Sequence, residues 1–567
     1  SLWEYEQGFV GKMMKKAYER SNGFANLTEF SYAFVAKNRY LFSLITRLLW
    51  GETVEKPTFA FASWLFPRLL GVVTLLALVS MWIQAAGLFG VNGILPYPEY
   101  FDGLREHAQA NHQSAFWLRP SGLYFFESNA AMHVFLGFGC VGALALMFGI
   151  LPRMACLFLW AVTLSLFVAG QRFLSFQWDI LLMQSLFLCS FVVPLRWRDQ
   201  LFVQRSPPKL PYFLICFSFV AFMVESSAVK WMSFDSDGTN TWRALTALDY
   251  HYWTQPLPHP LSWFAHQLPN GVNQSLLAIV MVVELIVPWF LFGPRRIKGL
   301  ALLTQVCLQI GILLTGNYGW FNLLVLVLCV PFFEDQFLPV RWRNRIMKRR
   351  ANTTTETSRQ MPLHRGLVLT RNVFMLGLLA LHALELTISF ERVPGPQPIQ
   401  KWANRAPLIE TIRNWTGQRL HWVNGYGLFR VMTTTRPEIQ IEASEDGKTW
   451  KRYQFRYKVA ELDQMPPFVA PHMPRLDWQM WFAALRLERL EAYPRMWLQR
   501  TPWFAQLLER LASEEKAVLG LFGSTPEFDT KPTHFRITLY RYTFTNWQEH
   551  NERDAYWNRE LVNQYTL

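Results

Sequence analysis

Cysteine is scarce in this chain and poorly placed for bridging. There are six in 567 residues, Cys140, Cys156, Cys189, Cys216, Cys307 and Cys329, each inside an apolar segment and none in a CxxC pair. This argues against a disulfide framework, a thiolate zinc site or a dithiol redox centre in the loops, and the thiols read as small core residues. A glycine-rich phosphate loop and a GxSxG elbow are also missing, so nucleotide use and a hydrolase triad lack support. His251, His259 and His266 share one loop, but their spacing fits no compact ligand set, and neither a metal nor a cofactor is assigned. Residues 1–56 carry scattered charges without an apolar h-region, so the first membrane helix is expected to do the targeting. There is no internal repeat. The net charge of +14 does not form one basic stripe, which argues against a nucleic-acid partner.

What the chain has is apolar surface. Hydrophobic residues make up 51% and aromatics 16%, high for a soluble protein of this length. Mean hydropathy is only +0.09, so a sizeable soluble portion must dilute membrane segments. About nine stretches approach the ~20 apolar residues that a bilayer core requires. They run Trp64–Phe89, Met132–Ile150, Met154–Ala169, Phe176–Leu195, Pro211–Lys230, Gln274–Phe292, Gly299–Thr315, Phe321–Phe333 and Leu367–Phe390; the third and eighth are short. Basic residues fall on every second connection: Arg153; Arg196, Arg198, Arg205 and Lys209; Arg295, Arg296 and Lys298; and Arg341 to Arg350. By the positive-inside rule the N-terminus is cytoplasmic and everything beyond about Glu391 is extracytoplasmic, in a bacterial periplasm or an endoplasmic reticulum lumen.

Three regions follow. Residues 1–57 form an amphipathic, basic extension, with Lys12, Lys15, Lys16 and Arg20 near Phe9, Met13, Met14 and Tyr18, either lying on the cytoplasmic leaflet or solvated. Residues 58–390 are the helical membrane domain, and Asn352–Ser358 lies in a cytoplasmic linker. Residues 391–567 are β-rich: Glu438–Ala443 alternates with period two, Asp446-Gly447 makes a turn, Trp450–Tyr457 returns, and His534–Thr545 closes the sheet. Leu476–Ala492 and Pro502–Gly520 read as helices, so the expectation is a β-sandwich with a helical insertion.

Charge inside apolar segments draws attention, because intramembrane ionisable groups are rare and usually paired. Asp179 opens the fourth expected span, with Arg172, a few residues earlier, as its expected local partner; it either caps and snorkels or belongs to a site. Arg68, Glu225, Lys230, Glu284, Arg371, His382 and Glu385 lie within spans. Glu225 and Lys230, five apart, are poor mutual partners on one helix, so each is expected to reach another element. Each of these groups fits a structural pair or a proton-handling site.

These residues also carry a resemblance. Gly87, Gly90, Asn92, Gly93 and Pro96 after the first helix, Phe176-Gln177-Trp178-Asp179, the run from Trp242 to Pro260 with Arg243, Asp249, Tyr250 and His251, and Asn317-Tyr318 resemble motifs of the lipase maturation factor family. Asn424, Tyr426, Gly427, Arg436, Asp446-Gly447 and the stretch from Val469 to Leu485, with His472, Arg475, Asp477, Trp478 and Trp481, extend the likeness to the C-terminus. It implies a polytopic membrane protein that helps exported lipases fold. Trp478, Trp481 and Phe482 would then offer apolar contact to the client or pack their helix onto the β domain. A more distant likeness joins the family to the membrane domain of vitamin K-dependent γ-carboxylases, where a lysine serves as base. The matching position is Lys230, one lysine where that pattern has two. The alternative function is therefore a membrane enzyme acting on a peptide side chain or lipid-soluble cofactor, with Lys230, Glu225 and Asp179 as its groups.

Overall fold

A computed structural model describes residues 9–51, 54–199, 207–234, 238–344, 365–391 and 397–566. Arg205, the 345–350 part of the basic cluster, the Asn352–Ser358 linker and the side chains of Phe9 and Lys12 lie outside the described residues.

The extension is three helices: α1 (Phe9–Arg20), α2 (Asn22–Lys37) and α3 (Arg39–Trp50). Neither α2 nor α3 has a buried residue, and Phe30, Phe34, Leu41, Leu44 and Leu48 are exposed. The membrane domain follows with α4 (Ala60–Leu88), α5 (Asn129–Met147), α6 (Pro152–Ala169), α7 (Gln177–Val192), α8 (Lys209–Met232), α9 (Asn270–Leu285), α10 (Arg295–Thr315), α11 (Phe321–Cys329) and α12 (Arg365–Phe390).

All nine expected apolar stretches are helical, but they are not equivalent. Six helices, α4, α5, α6, α8, α10 and α12, are long and apolar enough to cross a membrane. A seventh span arises if Pro260–His266 and α9, bent by 115°, count as one. The other two are short. α7 has 16 residues, about 24 Å at the usual rise, and is buried over most of its surface, so protein surrounds it where lipid would otherwise. α11 gives way to a 3₁₀ turn at Val330–Phe332, and α9 to one at Val287–Phe292. Pro331 and Pro288 cause these stops: each lacks the N–H that continues the helical ladder.

The C-terminal strands form one sheet, not a sandwich. β1 (Pro437–Ser444), β2 (Lys451–Phe455), β3 (Phe522–Ser524), β4 (His534–Phe544) and β5 (Trp557–Thr566) lie in the order β3-β2-β1-β4-β5, every pair antiparallel. The expected hairpin is present, with Ile441 opposite Tyr453 and Gly447 at φ +71° in the turn. On its other side Ile441 faces Ile537. A helix, α13 (Arg475–Arg489), packs against β1 and β4 where a sandwich would carry its second sheet. Its Ala484 and Leu487 share one core with Ile439, Ile441, Ile537 and Leu539. A helix buries an apolar sheet face as well as a second sheet does. The sheet edges are a three-residue strand and the largely exposed polar β5, both unsuited to further pairing.

Candidate functional site

Asp179 sits in the first turn of α7, and its partner is the first residue of α13. Arg475 Nη1 donates to Asp179 Oδ2 at 2.7 Å and Nη2 to Oδ1 at 2.6 Å, both side chains being buried. This corrects the expected pairing with Arg172, whose carbonyl instead accepts from Gln479 Nε2 at 2.7 Å. A planar fork meets a carboxylate in two parallel bonds, which a lysine could not reproduce. Aromatic rings close around the pair. Phe176 and Trp178 stack at 4.6 Å, Trp178 meets Trp478 edge-on at 4.9 Å, and the guanidinium lies 5.5 Å from the Phe176 centroid.

The same pattern extends along the seam between membrane helices and C-terminal domain, where polar side chains of the helices receive backbone N–H groups of the domain. Gln84 accepts from Arg475 N at 2.8 Å and donates to Met473 O at 2.9 Å. Ser80 Oγ accepts from Met473 N at 2.9 Å, leaving its proton for His472 Nδ1, also at 2.9 Å. Gln177 accepts from Gly427 N at 2.9 Å and Glu225 from Tyr426 N at 2.7 Å. Gln184 Oε1 accepts from both Asn424 Nδ2 and Tyr426 Oη at 2.9 Å, while its Nε2 lies 3.1 Å from His382 Nε2. Asn317 accepts from Val469 N at 2.9 Å and donates to Pro467 O and Pro258 O at 2.8 Å. Gly319, at φ +58°, brings backbone against backbone: a Cβ there would lie 3.0 Å from His472 O.

Burial sets the protonation states on the domain side. Burial, with Arg475 and Arg456 adding to it, pushes His472 down to about 4, so the ring accepts the Ser80 proton as a neutral group. His421 is likewise held near 4 by burial. Asp477 is pushed up to about 6 by burial, against the Tyr457 N–H that it accepts at 3.0 Å and the charge of Lys458.

Trp478 and Trp481 are 3% and 7% exposed, and Trp481 Nε1 donates to Thr254 O at 2.8 Å. Phe482, 40% exposed, is the ring of that trio with free surface. Arg243 donates to Trp231 O at 2.6 Å, and Tyr250 packs partly buried against Trp253. Asp249 O accepts from Trp253 Nε1 at 2.9 Å, with burial raising its carboxyl.

The second feature is a cavity of about 530 Å³ beside this seam. Lys230 of α8 reaches α9, donating to Glu284 Oε1 and Oε2 at 2.8 and 2.7 Å, and its ammonium lies 4.8 Å from the Trp242 ring. Tyr318, Phe429 and His251 also border it. His251 Nε2 is 3.3 Å from Tyr318 Oη, and burial, with Lys230 nearby, pushes this histidine down to about 4.

Lys230, Glu225 and Asp179 are thus engaged by three different partners, Glu284, Tyr426 N and Arg475. Sequence reasoning missed Ser80, Gln84 and Gln184. An amide in an otherwise apolar run was the available signal, since it too needs a partner in a membrane. Among the described residues no group of three or more His, Cys, Asp or Glu comes together to hold a metal.

Two family models match: "Lipase maturation factor transmembrane domain" over residues 61–340 and "Lipase maturation factor C-terminal domain" over residues 422–567. The first range contains Ser80, Gln84, Gln177, Gln184, Glu225 and Asn317, and the second Asn424, Tyr426, His472 and Arg475. Lipase maturation factor 2 of Xenopus laevis is 30% identical, the match covering 88% of this chain and 80% of that protein. The Homo sapiens protein of the same name is 30% identical, with 88% and 81% covered. Lipase maturation factor 1 of Mus musculus is 27% identical, with 88% and 85% covered. No solved structure matches. A chain that matches both models and aligns with these proteins over most of its length belongs to the lipase maturation factor family.

Proposed function

We propose that this protein is a membrane maturation factor that assists the folding of exported lipases, with its C-terminal domain as the client-facing part. The observation that carries this is the alignment with proteins named lipase maturation factors over 88% of the chain. The seam supports a scaffold role for the motif residues: Gln177, Asp179, Asn317, His472 and Arg475 join the domain to the helices. A client surface needs exposed apolar anchors, and Phe482 on α13 is the proposed anchor.

The proposed regions are 1–57, 58–390 and 391–567, with nine crossings, a cytoplasmic N-terminus and an extracytoplasmic C-terminal domain. Supporting this, the C-terminal ends of α4, α8 and α12 and the N-terminal ends of α7 and α11 all meet the C-terminal region, through Gln84, Glu225, Glu385, Gln177 and Asn317. Those ends share one side only if α7 and α11 each count as a crossing.

The test compares intact mass and specific activity of exported lipases from cells with and without the gene. Equal mass and lower activity per molecule in the deletion is the expected result. A discrete mass difference would replace this reading with covalent modification, and unchanged mass and activity would remove lipases as clients.

A further inference from the structure

The cavity beside the seam has a shape and chemistry that the scaffold role does not use. Its volume, about 530 Å³, lies within the ~300–1,000 Å³ typical of small-molecule sites. α8, α9 and α10 form its walls, and their contribution is chiefly aliphatic and aromatic. Two lining residues on facing helices, Ile279 and Leu303, are 57% and 58% exposed. Both helices belong to membrane-spanning candidates, so the mouth of the cavity between them opens sideways into hydrocarbon, not into water.

The inner end is polar and incompletely bonded. Lys230 and Glu284 neutralise one another there, which leaves no net charge to recruit an ion. Trp242, buried to 5% exposure, presents an indole N–H with no acceptor. Indole can only donate, and a buried donor without a partner is costly until something accepts from it. A ligand suited to this site has a long apolar body lying between α9 and α10 and one uncharged oxygen acceptor at its inner end. A carboxyl-derived oxygen at the head of an acyl chain is that combination.

We propose that this cavity binds one long-chain acyl lipid entering laterally from the bilayer, its chain between α9 and α10 and its carboxyl or ester oxygen accepting from Trp242 Nε1. Gly311, on the cavity wall, provides the means of closing it: a Cβ there meets no atom within 4 Å. A Gly311→Trp side chain therefore starts in open space at the cavity wall, with no backbone to displace.

The test uses the full-length protein in nanodiscs with two photoreactive probes, a diazirine-bearing phosphatidylcholine and diazirine-bearing palmitate, and maps labelled peptides by mass spectrometry. Exposed Leu367 and Leu369 of α12 report ordinary annular lipid. Labelling around Trp242, Ile279 and Leu303 should exceed labelling at α12, and Gly311→Trp should cut it at least fivefold without changing α12 labelling or the melting temperature. Labelling by phosphatidylcholine assigns an esterified lipid; labelling by palmitate alone assigns a free acid. Should the tryptophan variant fail to insert, Trp242→Phe, which keeps the ring and removes the donor, should lower cavity labelling at least threefold. Cavity labelling no higher than at α12, or unchanged in the variants, overturns the proposal.

Discussion

Asp179 and Arg475 show why a charged pair is tolerated at the mouth of a buried apolar helix. Each is buried, and each is tolerable only while the other is present. Asp179→Ala leaves an unpaired guanidinium and should cost about 3–5 kcal/mol, read as early unfolding and faster proteolysis of the C-terminal domain. The Asp179→Leu/Arg475→Met double variant should recover most of that loss, because the desolvation cost disappears with both charges. Gln184→Leu strands Asn424, Tyr426 and His382 together; at about 1–3 kcal/mol for each stranded group, it should be the most damaging single change on α7. Asp179 was conspicuous in the sequence because a carboxylate there demands an answer. Its partner was not, since nothing local distinguishes Arg475 from Arg172.

At the scale of elements, apolar length and period two located nine helices, six of them long and apolar enough to cross a membrane, and the β1–β2 hairpin. The proline stops at Pro288 and Pro331 also follow from local chemistry. Two outcomes required tertiary information: that the short α7 is enclosed by neighbouring elements, and that α13, not a second sheet, covers β1 and β4. β5 escaped notice because its polar, exposed pattern is that of an edge strand. The loop before α11 carries a prediction of its own. Gly319 combines a left-handed backbone with close approach to His472 O, so Gly319→Val should impose roughly 1–2 kcal/mol of backbone strain and push the domain from the helices. Faster protease release of the C-terminal domain, with membrane insertion unchanged, is the expected readout.

Across the whole molecule, buried histidines set the response to acid. His251, His421 and His472 titrate near 4 when folded, against about 6.5 when unfolded. Between those values the unfolded chain binds more protons, so stability falls as pH drops from about 6.5 toward 4. Asp477 acts oppositely: held at about 6 against about 3.9 unfolded, it takes up a proton first in the folded state and gains stability as pH falls through 6. Burial also lowers His259 and His266, which act with the other histidines, and raises Asp249, which acts with Asp477; the histidines outnumber the carboxyls, and the melting temperature should decline below pH 6.5. His472→Gln, which can still bond Ser80, should flatten that decline.

The seam also dictates an order of events in the protein's own biosynthesis. Arg475 follows Asp179 by 296 residues, which at ~5–20 residues per second is an interval of about 15–60 s. During it α7 has been made with its carboxylate, and Gln84, Gln184 and Glu225 wait for partners on a segment the ribosome has not yet made. The chain thus begins its existence unfinished: a nascent-chain truncation before Asn424 exposes all of these unsatisfied groups to the quality-control machinery of the membrane, and one between Tyr426 and Met473 leaves Asp179 and Gln84 without their partners.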